Sequence, residues 1–260
     1  MVIAAIKKGF SVTGKSLGLM AVLFVFGLVW NLINVFYAQG LAQAEPNLRQ
    51  SIVILALGLV FILISIYIQG GSLGYVLDVV KQGKAAFSNF TAAGKKYYGR
   101  LFVLGLIVSV FLIVSFVGIV LAASFLMDKI LALAVTITVF LATAVICFVI
   151  LVSLAPYIAV VDDQKTMASI KRSIVTVRKH LLHLLGFSLL LILIGFGVGL
   201  ALGGIQAGLS LLVKQEVVTK VIFAVLGSAA NSYLGVFVTA TFMGFYLAIQ
   251  GQASNNTNNN

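Results

Sequence analysis

The sequence predicts an all-α polytopic integral membrane protein: six transmembrane helices arranged as three hairpins, with basic amphipathic helices on the cytoplasmic side. Hydrophobic residues make up 62% of the 260-residue chain and charged residues only 9%, and the mean hydropathy is +1.18. A soluble domain carries about 25% charged residues. Several apolar runs along the chain are close in length to the roughly 20 residues that a helix needs to cross a bilayer. Basic residues concentrate beside alternate runs, which is typical of a multi-pass protein.

The apolar runs divide the chain into one transmembrane domain, residues 1–251, and an Asn-rich tail, residues 252–260, which is polar enough to be disordered or to be ordered only by contacts. The runs are 17–38, 51–69, 101–125, 130–155, 181–204 and 217–249. The first is longer than the apolar core of a signal peptide, about 7–15 residues, so we expect a retained span. Residues 6–16, which precede this run, are predicted to form a short surface helix.

The distribution of Lys and Arg predicts the orientation. With the N-terminus inside, thirteen of the seventeen basic residues lie on the inner side. The outer side then holds Arg49, Lys129, Lys214 and Lys220. We therefore expect a cell-membrane protein whose N- and C-termini are both cytoplasmic.

The segment 155–186 contains the most distinctive surface element. Met167, Ile170, Ile174 and Val177 recur at helical spacing among basic residues, which indicates an amphipathic helix at a membrane surface. Basic residues beside the inner ends of the spans are candidates for binding anionic lipid or a protein partner: Lys7, Lys8, Lys15, Lys95, Lys96, Arg100, Lys171, Arg172, Arg178 and Lys179.

The inner connections resemble one another, which predicts an internal repeat. Phe10-x4-Lys15, Phe90-x4-Lys95 and Ile174-x4-Lys179 precede the first, third and fifth spans at steps of 80 and 84 residues. Each copy would comprise an inner amphipathic helix and a transmembrane hairpin. The Pro-x-[Asp/Glu]-x-x-[Lys/Arg] signature of mitochondrial carriers is absent, so we reject that three-hairpin family.

Two further classes are disfavoured. The net charge of +11 is spread over span ends, without one basic face bearing exposed aromatics, so we expect no nucleic-acid partner. Cys147 is the single cysteine, which excludes a disulfide framework and a Cys-based metal site. We predict no cofactor and no metal.

Three motifs could carry chemistry, and each has a simpler structural interpretation. The segment 70–74, GGSLG, matches a serine-nucleophile pattern, but we interpret it as a glycine-rich helix end. His180 and His183 share a helix face as metal ligands can, but we expect interfacial histidines. Asp162 and Asp163 could be an acid–base pair, but we expect them to cap the following helix. Asp78 is predicted to pair with Lys81 or Lys84.

The membrane interior contains neutral features only, because no Lys, Arg, Asp, Glu or His lies in the central part of any span. Gly195, Gly199, Gly203 and Ala207 form a glycine zipper in the fifth span, which favours a tight helix contact, preferably within the chain. Asn31, Asn34 and Asn231 could line a polar pocket with threonines of the fourth span (Thr136, Thr138 and Thr143), or they could hydrogen-bond between helices.

Two stretches resemble a known family. They are Gly71-Ser-Leu-Gly-Tyr…Lys95-Lys-Tyr-Tyr-Gly-Arg-Leu and Tyr157-Ile-Ala-Val-Val-Asp-Asp…Ile170-Lys-Arg-Ser173…Lys179. The chain is similar there to six-helix membrane proteins grouped with the membrane domain of glycerophosphodiester phosphodiesterases. In that family the activity resides in a separate soluble barrel domain, which this chain lacks. The resemblance therefore implies a membrane part without catalytic residues.

Two function classes follow. The first is a non-catalytic scaffold or subunit of a membrane complex, whose inner basic helices contact anionic lipid or a protein partner. The alternative is a small-solute or lipid transporter with a neutral pocket between the first, fourth and sixth spans. An intramembrane enzyme is a third, weaker hypothesis. A cavity reaching Asn31, Asn34 and Asn231 would favour the transporter, and a filled core would favour the scaffold.

Overall fold

A computed structural model describes residues 2–42, 48–126, 130–213 and 215–257. These residues form nine helices, and no strand occurs among them. The helices are α1 (Val2–Gly14), α2 (Leu17–Ala42), α3 (Leu48–Gln82), α4 (Phe87–Leu126), α5 (Leu131–Val152), α6 (Ala155–Val161), α7 (Thr166–Lys179), α8 (Leu181–Leu212) and α9 (Glu216–Thr257). The all-α prediction is confirmed.

Six segments are long and apolar enough to cross a membrane: Leu17–Phe36, Ser51–Gln82, Phe87–Phe125, Leu131–Val161, Leu181–Ser210 and Glu216–Gly251. Most of their apolar side chains are exposed on the protein surface. An exposed apolar surface of this extent is stable only against hydrocarbon. The protein is therefore a multi-pass integral membrane protein.

Several helices extend well beyond the predicted apolar runs. α3 continues to Gln82, and α4 begins at Phe87 rather than at residue 101. The polar segments by which α3 and α4 extend beyond the apolar runs contain no proline. Each helix can therefore continue past the end of its apolar run. The second predicted inner helix is thus continuous with its span, whereas the first and third, α1 and α7, are separate helices. The last helix likewise includes residues 252–257, which composition predicted to be disordered.

The chain divides into two compact units. The first comprises residues 1–96 and 182–260, and the second comprises residues 97–181.

α9 is the central helix of the first unit and contacts α1, α2 and α3. Its inward-facing residues are almost completely buried: Val236, Phe237, Ala240, Thr241, Met243, Phe245 and Tyr246. The N-terminal part of α8 joins this core through Phe187, whose ring stacks on Phe245 at a centroid distance of 4.7 Å. The core therefore forms around the C-terminal half of α9.

Glycines allow close helix approach in this unit. A Cβ at Gly71 would lie 2.6 Å from the Phe90 ring and 2.8 Å from its carbonyl oxygen, and one at Gly94 would lie 2.9 Å from the Tyr67 ring. A Cβ at Gly74 would collide with Ala93, and one at Gly9 with Thr241. The GGSLG segment is thus the middle of α3, packed against the start of α4. The prediction that it ends a helix is wrong, because its glycines serve interhelical packing.

The turn between α3 and α4 is closed by polar contacts. Gly83 has a φ of +77°, in the left-handed region that favours glycine. Beyond the turn, the Asn89 amide donates to Asp78 Oδ2 over 2.9 Å. Among the described contacts, this bond replaces the predicted ion pair of Asp78 with Lys81 or Lys84.

In the second unit, the segment between α6 and α7 is held by two arginines. Arg100 Nη1 lies 2.6 Å from Asp163 Oδ1, and Arg172 Nη1 lies 2.9 Å from Asp162 Oδ2. Asp163 itself has a left-handed φ of +52°. The N-cap of α7 is Lys165, with no side-chain cap. The prediction that the two aspartates cap this helix is wrong, because they form ion pairs instead.

The face by which α7 packs coincides with the predicted apolar face only at Val177. Its buried residues are Thr166, Ser169, Ser173 and Val177, and Ser173 donates to the Leu151 carbonyl over 2.7 Å. Met167, in contrast, is 62% exposed. Small hydroxyl residues and Val177 thus contact the protein, and Met167 remains available to lipid.

Candidate functional site

A cavity of about 410 Å³ lies in the first unit between α2, α8 and α9. Its lining contains the three asparagines singled out by the sequence, Asn31, Asn34 and Asn231, together with Gln206. A volume of this size is within the range of small-molecule sites, about 300–1,000 Å³. The structure therefore brings together polar residues more than 190 positions apart in sequence.

Helical spacing explains how α2 contributes two side chains to one wall. Asn31 and Asn34 are three residues apart and so share a face of α2. Asn231 lies in α9 and Gln206 in α8. Each amide offers one acceptor oxygen and two N–H donors. Four such groups around one cavity can both donate to and accept from a ligand.

Local hydrogen bonds orient the two α2 amides. Asn31 Nδ2 donates to Ser228 Oγ over 2.9 Å, which links α2 to α9. Ser228 in turn donates to the Ala224 carbonyl over 2.6 Å. Asn34 Nδ2 donates to the Trp30 carbonyl, one turn earlier in α2, over 2.8 Å. Each of these contacts engages a single amide hydrogen, and the amide group has a second hydrogen and an oxygen for a ligand.

One charged group borders the cavity. Lys220 is part of its lining, and its ammonium lies 2.6 Å from Glu216 Oε1, one turn earlier in α9. Val35, Phe223 and Ala224 supply apolar wall. The described lining therefore combines neutral amides and apolar side chains with one ammonium that already has a carboxylate partner.

The described lining of the cavity comes from the first, fifth and sixth spans. The predicted contribution of the fourth span stays a prediction. The fourth-span hydroxyl of Thr136 donates within its own helix to the Ala132 carbonyl. Sequence analysis missed Gln206 and Lys220. The sequence carried a signal for Gln206, because it is a polar amide within a glycine-rich apolar run.

The glycine zipper is also placed differently from the prediction. Among the described residues, no atom lies within 4 Å of the Cβ position at Gly195, Gly199 or Gly203, and Ala207 is exposed. Within the described part of the chain, the predicted tight contact at these glycines is therefore not seen. The described side chains of α8 after Phe187 are all at least partly exposed, and its described buried side chains, Leu184 and Phe187, lie near its N-terminus.

The other candidate chemistry is not assembled. Ser72 Oγ is buried and has no hydrogen-bond partner in the described part of the chain, so no base activates it. The helix breaks at His180, the C-cap of α7, which separates it from His183 in α8. Within the described ranges, no group of three or more His, Cys, Asp or Glu residues could hold a metal.

The predicted lipid- or partner-binding residues lie mostly on the surface. Arg100 is part-buried, and the others are exposed: Lys7, Lys8, Lys15, Lys95, Lys96, Lys171, Arg172, Arg178 and Lys179. Arg100 and Arg172 form the ion pairs described above. The α7 surface thus carries Lys171, Arg178 and Lys179 beside the ion-paired Arg172.

The family model described as "Domain of unknown function (DUF7847)" matches residues 1–249, and the chain belongs to that family. No curated protein and no solved structure matches the chain. The relation to the membrane domain of glycerophosphodiester phosphodiesterases stays a prediction.

Proposed function

We propose that this DUF7847 protein binds a small polar solute or a polar lipid headgroup in the cavity between α2, α8 and α9, and carries it within the membrane without catalysing a reaction. The observation that carries the proposal is the convergence of Asn31, Asn34, Asn231 and Gln206 on one cavity. Polar groups in hydrocarbon are costly unless they have partners. Asn31 and Asn34 also have partners among the described residues, but four amides around an open volume exceed what helix association requires.

The lining favours binding over catalysis. Lys220 is the one ionisable side chain among the described lining residues, and it faces Glu216. General acid–base catalysis needs a positioned group that can exchange a proton near neutral pH. Amides do not titrate there, whereas they are well suited to orienting a ligand by hydrogen bonds.

The test is mass spectrometry of the protein extracted from its native membrane with its lipid shell intact. The wild-type protein should retain one non-protein molecule per chain, and Asn231→Leu should lose it. A stoichiometric protein partner, with no retained small molecule in either variant, would contradict the proposal.

The second candidate is a scaffold or subunit of a membrane complex. It is favoured by the exposed basic residues Lys171, Arg178 and Lys179 on α7, which could contact anionic lipid headgroups or a protein partner. Replacing these three residues by Gln should remove a co-purifying protein partner if this function is correct, and should leave ligand retention in the cavity unchanged.

For the orientation, we propose that the basic ends of the helices and both termini face the cytoplasm of the cell membrane. The distribution of Lys and Arg supports this. A membrane-impermeant thiol reagent tests it: in a Cys147→Ala background, Ser11→Cys should react only after the cells are opened. Reaction in intact cells would reverse the topology.

A further inference from the structure

We infer that the ligand is a lipid-like amphiphile whose headgroup is rich in hydroxyl groups, with the headgroup in the amide cavity and the apolar tail along the glycine face of α8. This inference rests on the proposed function and names the class of ligand for the same cavity. Three observations carry it: the donor and acceptor balance of the lining, the charge at Lys220 and the open face of α8.

The lining matches hydroxyl groups better than it matches a bare anion. A hydroxyl donates one hydrogen bond and accepts two, whereas an amide accepts through its oxygen and donates through its nitrogen. Asn31, Asn34, Asn231 and Gln206 can therefore bind several hydroxyls of a sugar or glycerol headgroup at once. An anion would use only the donor half of each amide.

The charge balance points the same way. Lys220, the cation in the described lining, already has Glu216 at 2.6 Å. A bound anion would have to share that ammonium with a carboxylate and would meet its repulsion. A neutral hydroxylated group meets neither penalty. A headgroup that also carries a phosphate would leave the phosphate outside the amide lining.

The glycine face of α8 provides room for a tail. Gln206 follows Gly203 by three residues, so it shares a helix face with Gly195, Gly199 and Gly203. Gln206 lines the cavity, and no atom of the described residues lies within 4 Å of the Cβ position of these glycines. Gly197 on the opposite face is equally open, so the position of Gln206 selects this face for the tail. An acyl chain along this face would be continuous with a headgroup at Gln206. The occupant must be apolar, since α8 lies in the membrane interior.

The anchoring of α8 gives a route of entry. Leu184 and Phe187 are buried near its N-terminus, whereas its later side chains in the described range are exposed or partly exposed. A helix fixed at one end can separate from α9 at the other without breaking a packed core. An amphiphile could therefore enter sideways from the bilayer.

The test places the purified protein in vesicles of equal parts phosphatidylethanolamine, phosphatidic acid, phosphatidylglycerol and a diglucosyl diacylglycerol, and identifies retained lipid by native mass spectrometry. Phosphatidylglycerol and the diglucosyl diacylglycerol, whose headgroups are rich in hydroxyl groups, should be enriched at least about tenfold over phosphatidylethanolamine and phosphatidic acid. Asn231→Leu should reduce that enrichment about tenfold, the loss expected from one or two hydrogen bonds.

A matched pair of variants tests the position of the tail. Gly199 and Gly197 lie on opposite faces of α8, because two residues turn a helix by about 200°. Gly199→Leu should abolish lipid retention, and Gly197→Leu should leave it unchanged. Equal loss or equal retention in the two variants would overturn the assignment of the tail.

The outcomes separate this inference from the proposed function. Enrichment of phosphatidic acid, lost in Lys220→Met, would overturn the hydroxyl-rich headgroup. Retention of a water-soluble polyol without any lipid would overturn the amphiphile while leaving the proposed function standing. Retention of no molecule, from native membranes or from these vesicles, would overturn both.

Discussion

Glycine has opposite roles in two regions of the first unit. In the glycine-packed region, formed by Gly9, Gly71, Gly74 and Gly94 with their partners, a Cβ would collide with or crowd a neighbouring helix. In the cavity region, formed by the cavity lining with Gly195, Gly199 and Gly203, a Cβ at these glycines would meet no described atom within 4 Å. The same residue thus closes one region and leaves the other open.

The difference shows that small residues in a transmembrane helix do not have one meaning. Where two backbones approach, the missing side chain permits van der Waals contact, which drives helix association in lipid. Where no helix approaches, the missing side chain leaves space beside the helix that a ligand can occupy. We relate the first arrangement to stability and the second to ligand binding, and substitutions can separate the two effects.

The largest effect is expected from Gly71→Ala. The added methyl group must displace the Phe90 ring and, less easily, its carbonyl oxygen at 2.8 Å. Overpacking of this kind costs about 1–3 kcal/mol. The midpoint of thermal unfolding in detergent should therefore fall by several degrees.

Gly199→Ala is the matched control for that substitution. Alanine is favoured over glycine in a helix by about 0.5–1 kcal/mol, and there is space for its methyl group. The unfolding midpoint should be unchanged or slightly higher. Equal destabilisation by Gly71→Ala and Gly199→Ala would contradict the contrast between the two regions.

A smaller effect is expected from Tyr67→Phe in the glycine-packed region. The Tyr67 hydroxyl donates to the Thr91 carbonyl of α4 over 3.2 Å. Its loss should cost about 1 kcal/mol of stability, with the ring still packed against Gly94. Chemical denaturation in mixed micelles measures this. A cost as large as that of Gly71→Ala would mean that the hydrogen bond, rather than glycine packing, holds α3 to α4.

Asn31→Leu in the cavity region should cost less stability still. It removes the bond from Asn31 to Ser228, and hydrogen bonds between transmembrane helices average about 0.6 kcal/mol. Ligand retention should nevertheless fall about tenfold, because the amide is also part of the cavity lining. If stability fell strongly and retention did not change, Asn31 would be a packing residue only.

The smallest effect is expected from Glu216→Gln. Its ion pair with Lys220 is of the i,i+4 type and both side chains are substantially exposed, so its loss should cost no more than about 0.5 kcal/mol. The difference from wild type should disappear at about 1 M salt, where the screening length is near 3 Å. A difference that persists in high salt would mean that the pair is shielded from solvent.

The sequence predicted the membrane class and the polar cavity residues because both depend on local composition. Apolar runs reveal spans, and asparagines are conspicuous within them. Composition could not place Gly71 in the middle of a helix, because a glycine cluster is compatible with both a helix end and a tight helix contact. Only the position of Phe90 on the next helix distinguishes these two arrangements.

The same limit explains the errors in the polar connections. Asp162 and Asp163 precede a helix, and capping is the common role for such residues. Their arginine partners lie at positions 100 and 172, and the first of these pairings depends on tertiary structure. The predicted pocket contained the asparagines that line the cavity but not Gln206 of the fifth span, because hydropathy does not determine which spans are neighbours.

The most direct test of the central claim, that the cavity holds a ligand, is the thiol reactivity of Asn231→Cys in a Cys147→Ala background. Tyr233→Cys is the control, because Tyr233 is an exposed residue of the same helix outside the described cavity lining. In protein extracted with native lipid, the cysteine at 231 should react slowly, and delipidation should accelerate it about tenfold or more while position 233 changes little. Equal reactivity at 231 before and after delipidation would show that the cavity is unoccupied and would contradict the account.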